Sequence, residues 1–177
     1  MIRAVRDVLA RRAARRAVRD RDRRELRSDA ARRVVLVVLP STRDAAEAAW
    51  GALESLGLDP DRIVPVALEA VAYVPDRYAG RILIVEPSRA LSLPSAAARD
   101  AAWAPAPDVA INLLSPLDPA AALLVGGSPA AIRVGYADKR AEPFYDLLVG
   151  APGSEAPGPA AVARALSQVQ PPLFGPA

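Results

Sequence analysis

The run VVLVVL at residues 34–39 decides the fold of this chain. Six consecutive apolar residues, four of them β-branched, are typical of a strand that is covered on both faces. We predict it to be the first and most central strand of a sheet. The residues that follow supply a cap at Ser41 or Thr42, a helix near 43–56 and a glycine stop at Gly57. A buried strand followed at once by a helix begins a strand–helix–strand unit.

The same alternation continues toward the C-terminus. A helix is predicted near 95–103, and another begins at the Asp118 cap and ends at Gly126 and Gly127. Pro65 cannot donate to a ladder and therefore places its strand at an edge of the sheet. The further strands are predicted at 62–69, 81–87, 108–114, 130–136 and 144–150. This pattern predicts a three-layer, Rossmann-like α/β fold with a mainly parallel sheet of five to six strands.

The chain divides into three predicted parts. A long Arg-rich helix at 1–33 precedes the α/β domain at 34–150, and residues 151–177 form a linker, a short helix and a disordered end. The first part holds 13 Arg against five acidic residues, whereas the rest of the chain holds ten basic and 15 acidic residues. The predicted buried stripe of the first helix consists of Ile2, Val5, Leu9, Ala13 and Ala17.

Composition excludes several chemistries. The chain has no cysteine and no histidine, which removes disulfides, thiolate zinc sites, cysteine nucleophiles and histidine general bases. No glycine-rich dinucleotide turn and no P-loop occurs, and no apolar run reaches the length of a bilayer. We therefore predict a cytoplasmic protein with no transmembrane segment, no cofactor, no metal site and no catalytic residue.

The arginines of the first segment form a candidate partner-binding surface. A basic helix can follow a phosphate backbone or an acidic protein surface. A solvated helix, partly neutralised by its own acids, explains the same residues equally well. The functional hypothesis is a non-enzymatic module that docks on RNA, a ribonucleoprotein or an acidic protein, and a homo-oligomer is a third alternative. The residues assigned to docking are Arg11, Arg12, Arg15, Arg16, Arg19, Arg23 and Arg24.

A second candidate site lies in the loops that follow the strands. Open parallel sheets bind ligands beyond the carboxyl ends of their strands. Helix capping explains Ser41 and Thr42 more simply, and Asn112 is better explained as a partner of neighbouring backbone. Charged residues after the 130–136 strand also fit a solvated turn. The candidate ligand-binding residues are Ser41, Thr42, Asp44, Asn112, Ser115, Tyr136 and Lys139.

Two resemblances arise from the run PDVAINLL…AAIRVGY…FYDLLV. It resembles an uncharacterised bacterial domain family with a basic first helix, a D-L-L-I-N-L strand, A-x-x-R/K-V-G and a final Y-D-L-M/L-I. It is also similar to the N-terminal half of heptosyltransferase-like glycosyltransferases. There a Gly-Asp pair follows the first strand, and its positions hold Arg43 and Asp44 here. This second resemblance implies a reduced glycosyltransferase-like domain that binds a sugar or nucleotide near Asp44, Asn112 and Ser115.

Overall fold

The computed structural model describes residues 2–19, 32–68, 74–86, 92–151 and 158–168. The helices in these ranges are α1 (Ile2–Arg19), α2 (Arg43–Ser55), α3 (Ala96–Trp103), α4 (Pro119–Gly126) and α5 (Pro159–Ser167). The strands are β1 (Val35–Val38), β2 (Ile63–Ala67), β3 (Leu83–Ile84), β4 (Val109–Asn112), β5 (Ile132–Tyr136) and β6 (Leu147–Val149).

The six strands form one parallel sheet in the order β3-β2-β1-β4-β5-β6. Strand β1 is central, and Val35 pairs with Ile63 on one side and with Val109 on the other. Every residue of β1 is buried, as expected of a strand with helices on both faces. The chain runs outward from β1 to β3, returns beside β1 at β4, and then runs outward in the opposite direction. This reversal of strand order is the switch point at which such sheets bind ligands.

Helices cover both faces of the sheet, which confirms the three-layer α/β fold. Helices α2 and α5 pack together on one face, where Trp50 stacks on Tyr78 with ring centroids 4.1 Å apart. Helices α1, α3 and α4 contribute to the core on the other face, where Leu36 and Val38 are buried. The Trp103 indole of α3 donates a hydrogen bond to the carbonyl of Leu124 in α4 at 2.9 Å.

Helix α1 lies along the body of the protein and packs against α4. Its buried face is formed by Ala10, Ala14 and Val18, which are 0%, 0% and 5% exposed. The predicted stripe is therefore wrong at Leu9, which is 49% exposed. Alanine side chains are small, so they let α1 and α4 approach closely. Helix α4 is apolar on all sides and α1 shields one of these sides from solvent. The continuation of the helix predicted to residue 33 falls mostly on 20–31, outside the described residues, and it is wrong at Arg32 and Arg33, which are not α-helical.

Strand β2 is an internal strand and not the edge strand that Pro65 indicated. Its neighbour β3 is only two residues long and pairs with Val66 and Ala67 alone. No β3 residue pairs with Pro65, so the missing backbone donor of the proline costs no ladder hydrogen bond there. The strand predicted at 81–87 is accordingly reduced to its two central residues.

The motifs that carry the resemblances contact each other across β5 and β6. The Arg133 side chain is fully buried, donates to the Ser128 carbonyl at 2.8 Å and forms an ion pair with Asp146 at 3.2 Å. A Cβ atom on Gly135 would lie 2.4 Å from the ring of Tyr145, so only glycine leaves room for this ring. Both motifs therefore build the core of the fold.

Candidate functional site

A cleft of about 330 Å³ opens at the switch point, beyond the carboxyl ends of β1 and β4. Its volume lies at the lower end of the range for small-molecule sites, roughly 300–1,000 Å³. Four of the seven candidate ligand-binding residues line it, while Asp44, Asn112 and Lys139 do not. The lining consists of Pro40, Ser41, Thr42, Ala45, Leu113, Leu114, Ser115, Tyr136, Gly158 and Pro159.

The loop after β1 supplies Ser41 and Thr42 to the cleft. Thr42 occupies the N-cap position of α2, and its carbonyl accepts from the amide of Ala46 at 2.9 Å. Its hydroxyl makes no side-chain cap hydrogen bond, contrary to the capping role that the sequence favoured. Both hydroxyl-bearing residues are exposed. Asp44 lies in the first turn of α2 and is exposed, but it does not line the cleft.

Asn112 holds the loop after β4 in place. Its Oδ1 accepts from the amide of Leu114 at 3.0 Å, and its Nδ2 donates to the Tyr145 hydroxyl at 2.8 Å. The side chain is buried and directs its hydrogen bonds inward. This confirms that Asn112 serves neighbouring backbone, and it leaves Leu114 and Ser115 to face the cleft. Tyr145 was not among the predicted site residues, because its place in the 144–150 segment indicated only a buried strand.

Asp118 anchors the far end of the same loop. Its Oδ1 accepts from the amides of Ala120 at 2.7 Å and Ala121 at 3.1 Å, which confirms the predicted cap of α4. Pro119 follows as the first helical residue, where its missing N–H is not needed. The loop that carries Ser115 is thus fixed at both ends by side-chain hydrogen bonds.

Tyr136, the last residue of β5, is the most distinctive side chain of the cleft. It is only 7% exposed, and burial raises the pKa of its hydroxyl to about 12. In the part of the chain that the structure describes, no group forms a hydrogen bond with this hydroxyl. The phenol therefore stays neutral at physiological pH and presents one donor and two acceptor positions.

The described part of the lining is hydroxyl-rich and carries no ionised side chain. Ser41, Thr42, Ser115 and Tyr136 provide hydroxyls, and prolines and leucines provide apolar walls. Such a surface suits recognition of a polar ligand by hydrogen bonds and packing. Among the described residues, no group of three acidic side chains is placed to hold a metal ion.

Lys139 lies outside the cleft, in the exposed turn after β5. Beside it, Arg140 Nε approaches Asp138 Oδ1 at 3.1 Å, and the hydrogen bond from this arginine lowers the pKa of the Asp138 carboxyl. The amide of Arg140 also donates to Asp138 Oδ1 at 2.8 Å. This arrangement is the charged, self-contained turn that the sequence favoured.

The candidate docking arginines are on a different surface. Arg12, Arg15 and Arg16 are exposed along α1 and Arg11 is half-buried, whereas the alanine face is turned toward α4. None of these four residues lines the cleft. The Arg19 side chain and the predicted docking residues Arg23 and Arg24 fall outside the described part of the molecule.

Comparisons with known protein families, with curated proteins and with solved structures find no match to this chain. Within the described ranges, no helix is both long and apolar enough to cross a membrane.

Proposed function

We propose that this protein binds a sugar or a nucleotide in the cleft beyond β1 and β4. The observation that carries the proposal is Tyr136, a residue that is 7% exposed, lines the cleft and has a hydroxyl with no hydrogen-bond partner among the described residues. The hydroxyl oxygen itself is open to the solvent of the cleft. A ligand that enters the cleft can therefore replace water as the partner of this hydroxyl.

The remaining lining agrees with this class of ligand. Three further hydroxyls, on Ser41, Thr42 and Ser115, suit the hydroxyl groups of a sugar or a ribose, and the apolar walls suit a base or the C–H face of a sugar ring. The Pro40-Ser41-Thr42 turn contains no glycine, so a dinucleotide does not fit the proposal.

A panel of sugars, nucleosides, nucleotides and nucleotide sugars, read by thermal shift, tests the proposal. Once a compound is found that binds, the Tyr136→Phe substitution should lower the affinity for it by about tenfold, because one hydrogen bond of roughly 1.5 kcal/mol is lost. Tyr78→Phe is the matched control, since Tyr78 is also buried but stacks on Trp50 and does not line the cleft. No response to any compound, or an equal response in both variants, overturns the proposal.

A second proposal concerns the arginines of α1, which we infer dock on RNA. It is supported by the exposure of Arg12, Arg15 and Arg16, since the alanine face of the helix is occupied by α4. Three guanidinium groups on one solvent-facing helix surface suit a phosphate backbone. An acidic protein or a ribonucleoprotein would use the same charges and is an outcome of the test.

The double variant Arg15→Glu/Arg16→Glu tests this docking against the control Arg62→Glu/Arg164→Glu, which changes the same charge at exposed positions elsewhere. Fluorescence anisotropy with a mixed-sequence RNA should show affinity that falls steeply with salt and a smaller salt slope in the α1 variant only. Binding of polyglutamate in place of RNA would indicate an acidic protein partner. Equal RNA affinity in both variants contradicts the proposal.

A further inference from the structure

Two helices begin at the cleft, and in the described ranges neither has a side-chain cap. The N-cap of α2 is Thr42, whose hydroxyl makes no cap hydrogen bond, and the N-cap of α5 is Gly158, which has no side chain. The helices α3 and α4 start outside the cleft lining and are capped. There Ser95 Oγ accepts from the amide of Ala98 at 3.1 Å, and Asp118 accepts at 2.7 Å.

Uncapped helix N-termini attract anions. The first N–H groups of a helix have no partner within it, and the aligned peptide dipoles place a partial positive charge there. Two such termini meet at one cleft, and none of the described residues that line it carries an ionised side chain to neutralise them. The nearest acidic residue in α2 is Asp44, which is exposed and outside the lining.

The Tyr136 hydroxyl is an independent sign of a ligand at the same place. More than nine-tenths of the side chain is buried, it lines the cleft, and no described residue hydrogen-bonds its hydroxyl. Because burial raises the pKa of this group to about 12, the hydroxyl keeps its proton and donates. The hydroxyl oxygen is open to the cleft and no described residue occupies it, so it is free to donate to a ligand that enters there.

We propose that the ligand is anchored by a phosphomonoester whose oxygens accept from the N-termini of α2 and α5 and from the hydroxyls of Ser41, Thr42 and Tyr136. This inference rests on the proposed function, because it concerns the same cleft, and it restricts the ligand to a sugar phosphate or a nucleoside monophosphate. The cleft volume of about 330 Å³ suits one phosphorylated ring. The glycine-free turn after β1 does not allow the close backbone approach that a pyrophosphate needs.

The test compares full-length wild type with two aspartate variants. Thr42→Asp places a carboxylate at the N-cap of α2, where it accepts from the helix amides and repels phosphate. Ser95→Asp makes the same change at the capped terminus of α3, outside the cleft. The probes are inorganic phosphate, ribose 5-phosphate, uridine 5′-monophosphate and unphosphorylated uridine, all at constant ionic strength and measured by calorimetry. We expect Thr42→Asp to raise Tm without ligand and to weaken every phosphate probe by at least about tenfold.

The outcomes separate this inference from the proposed function. Phosphate binding that survives in Ser95→Asp and is lost in Thr42→Asp supports the anchor. If ribose 5-phosphate binds more tightly than uridine 5′-monophosphate, the ligand is a sugar phosphate, and the reverse order indicates a nucleoside monophosphate. Unchanged phosphate affinity in Thr42→Asp, a lowered Tm in that variant, or equal binding of uridine and its monophosphate overturns the anchor alone. No binding of any sugar, nucleoside or phosphate overturns both.

A second readout needs no variant. In a two-dimensional amide spectrum of the wild-type protein, titration with inorganic phosphate should shift the amides at the starts of α2 and α5 together and leave those of α3 and α4 in place. Shifts confined to the exposed arginines of α1 would show that phosphate binds the basic surface instead, and they would overturn the anchor.

Discussion

At the scale of single residues, a line of contacts leads from the core to the cleft. Gly135 leaves room for the ring of Tyr145, the Tyr145 hydroxyl accepts from Asn112, and Asn112 shapes the loop that presents Ser115. The sequence predicted the role of Asn112 because buried amides usually serve backbone. It did not predict Tyr145, because this partner is 33 residues away and only the strand order brings it close.

Substitution of Gly135 tests this line of contacts. Gly135→Ala should lower the free energy of unfolding by at least about 2 kcal/mol, because a new Cβ would overlap a buried ring. Gly51→Ala is the control, since a Cβ there meets nothing within 4 Å and alanine favours the helix by about 1 kcal/mol. Urea denaturation measures both, and a neutral Gly135→Ala variant would contradict the packing.

Two of the ion pairs of aspartate with arginine, Asp146 with Arg133 and Asp61 with Arg81, differ in burial, which gives a second residue-scale prediction. Asp146→Asn should lower the free energy of unfolding by about 2–3 kcal/mol. This is less than the roughly 3–5 kcal/mol for breaking a fully buried pair, because Arg133 keeps its hydrogen bond to the Ser128 carbonyl. Asp61→Asn breaks an exposed 2.9 Å pair with Arg81 and should cost about 0–1 kcal/mol. Equal costs in urea denaturation would show that Arg133 does not depend on Asp146.

At the scale of elements, helix phase and helix capping were the two features that the sequence left open. The sequence predicted that Leu9 would be buried, yet Leu9 is 49% exposed and α1 buries Ala10, Ala14 and Val18. Close approach to α4 decides this phase, and the sequence gives no measure of helix separation. Capping was ambiguous for a similar reason, because Thr42 and Asp118 are both good cap residues and only Asp118 accepts the bonds.

Enlarging the buried face of α1 tests its packing. Ala14→Leu should destabilise the protein by about 1–3 kcal/mol, because Ala14 is fully buried against α4. Ala48→Leu, at an exposed position of α2, is the control and should change stability by less than about 0.5 kcal/mol. If Ala14→Leu melts at the wild-type temperature, α1 does not lie along the body.

At the scale of the whole molecule, the sequence predicted the class of fold but not its topology. Strands alternating with helices imply a parallel sheet, because a parallel connection needs a crossover. The order of the strands depends on pairings such as Val35 with Val109, which are far apart in the chain. That order brings Ser41, Ser115 and Tyr136 to one cleft. The sequence placed these residues in separate loops after different strands, and the strand order is needed to show that they share a cleft.

Buried tyrosines give the whole protein a pH dependence in alkali. Burial raises the pKa of Tyr136 from 10.0 to about 12 and also raises that of Tyr145. The unfolded chain loses these protons first as the pH passes 10, so the tyrosines should leave the free energy of unfolding unchanged from pH 8 to near 10 and lower it between pH 10 and 12. Urea denaturation from pH 8 to 12 measures the fall, and it should be smaller in Tyr136→Phe. A curve that the substitution leaves unchanged contradicts the assignment.

The contact between α1 and α4 also orders events during synthesis. Helix α1 ends at Arg19, whereas the surface it covers ends at Gly126. Helix α1 leaves the ribosome long before α4 and therefore cannot bury its alanine face until α4 has followed. A nascent chain stopped before residue 119 should leave α1 open to protease, and one stopped well after 126 should protect it. The protein thus emerges with its most basic segment uncovered and closes its own core late.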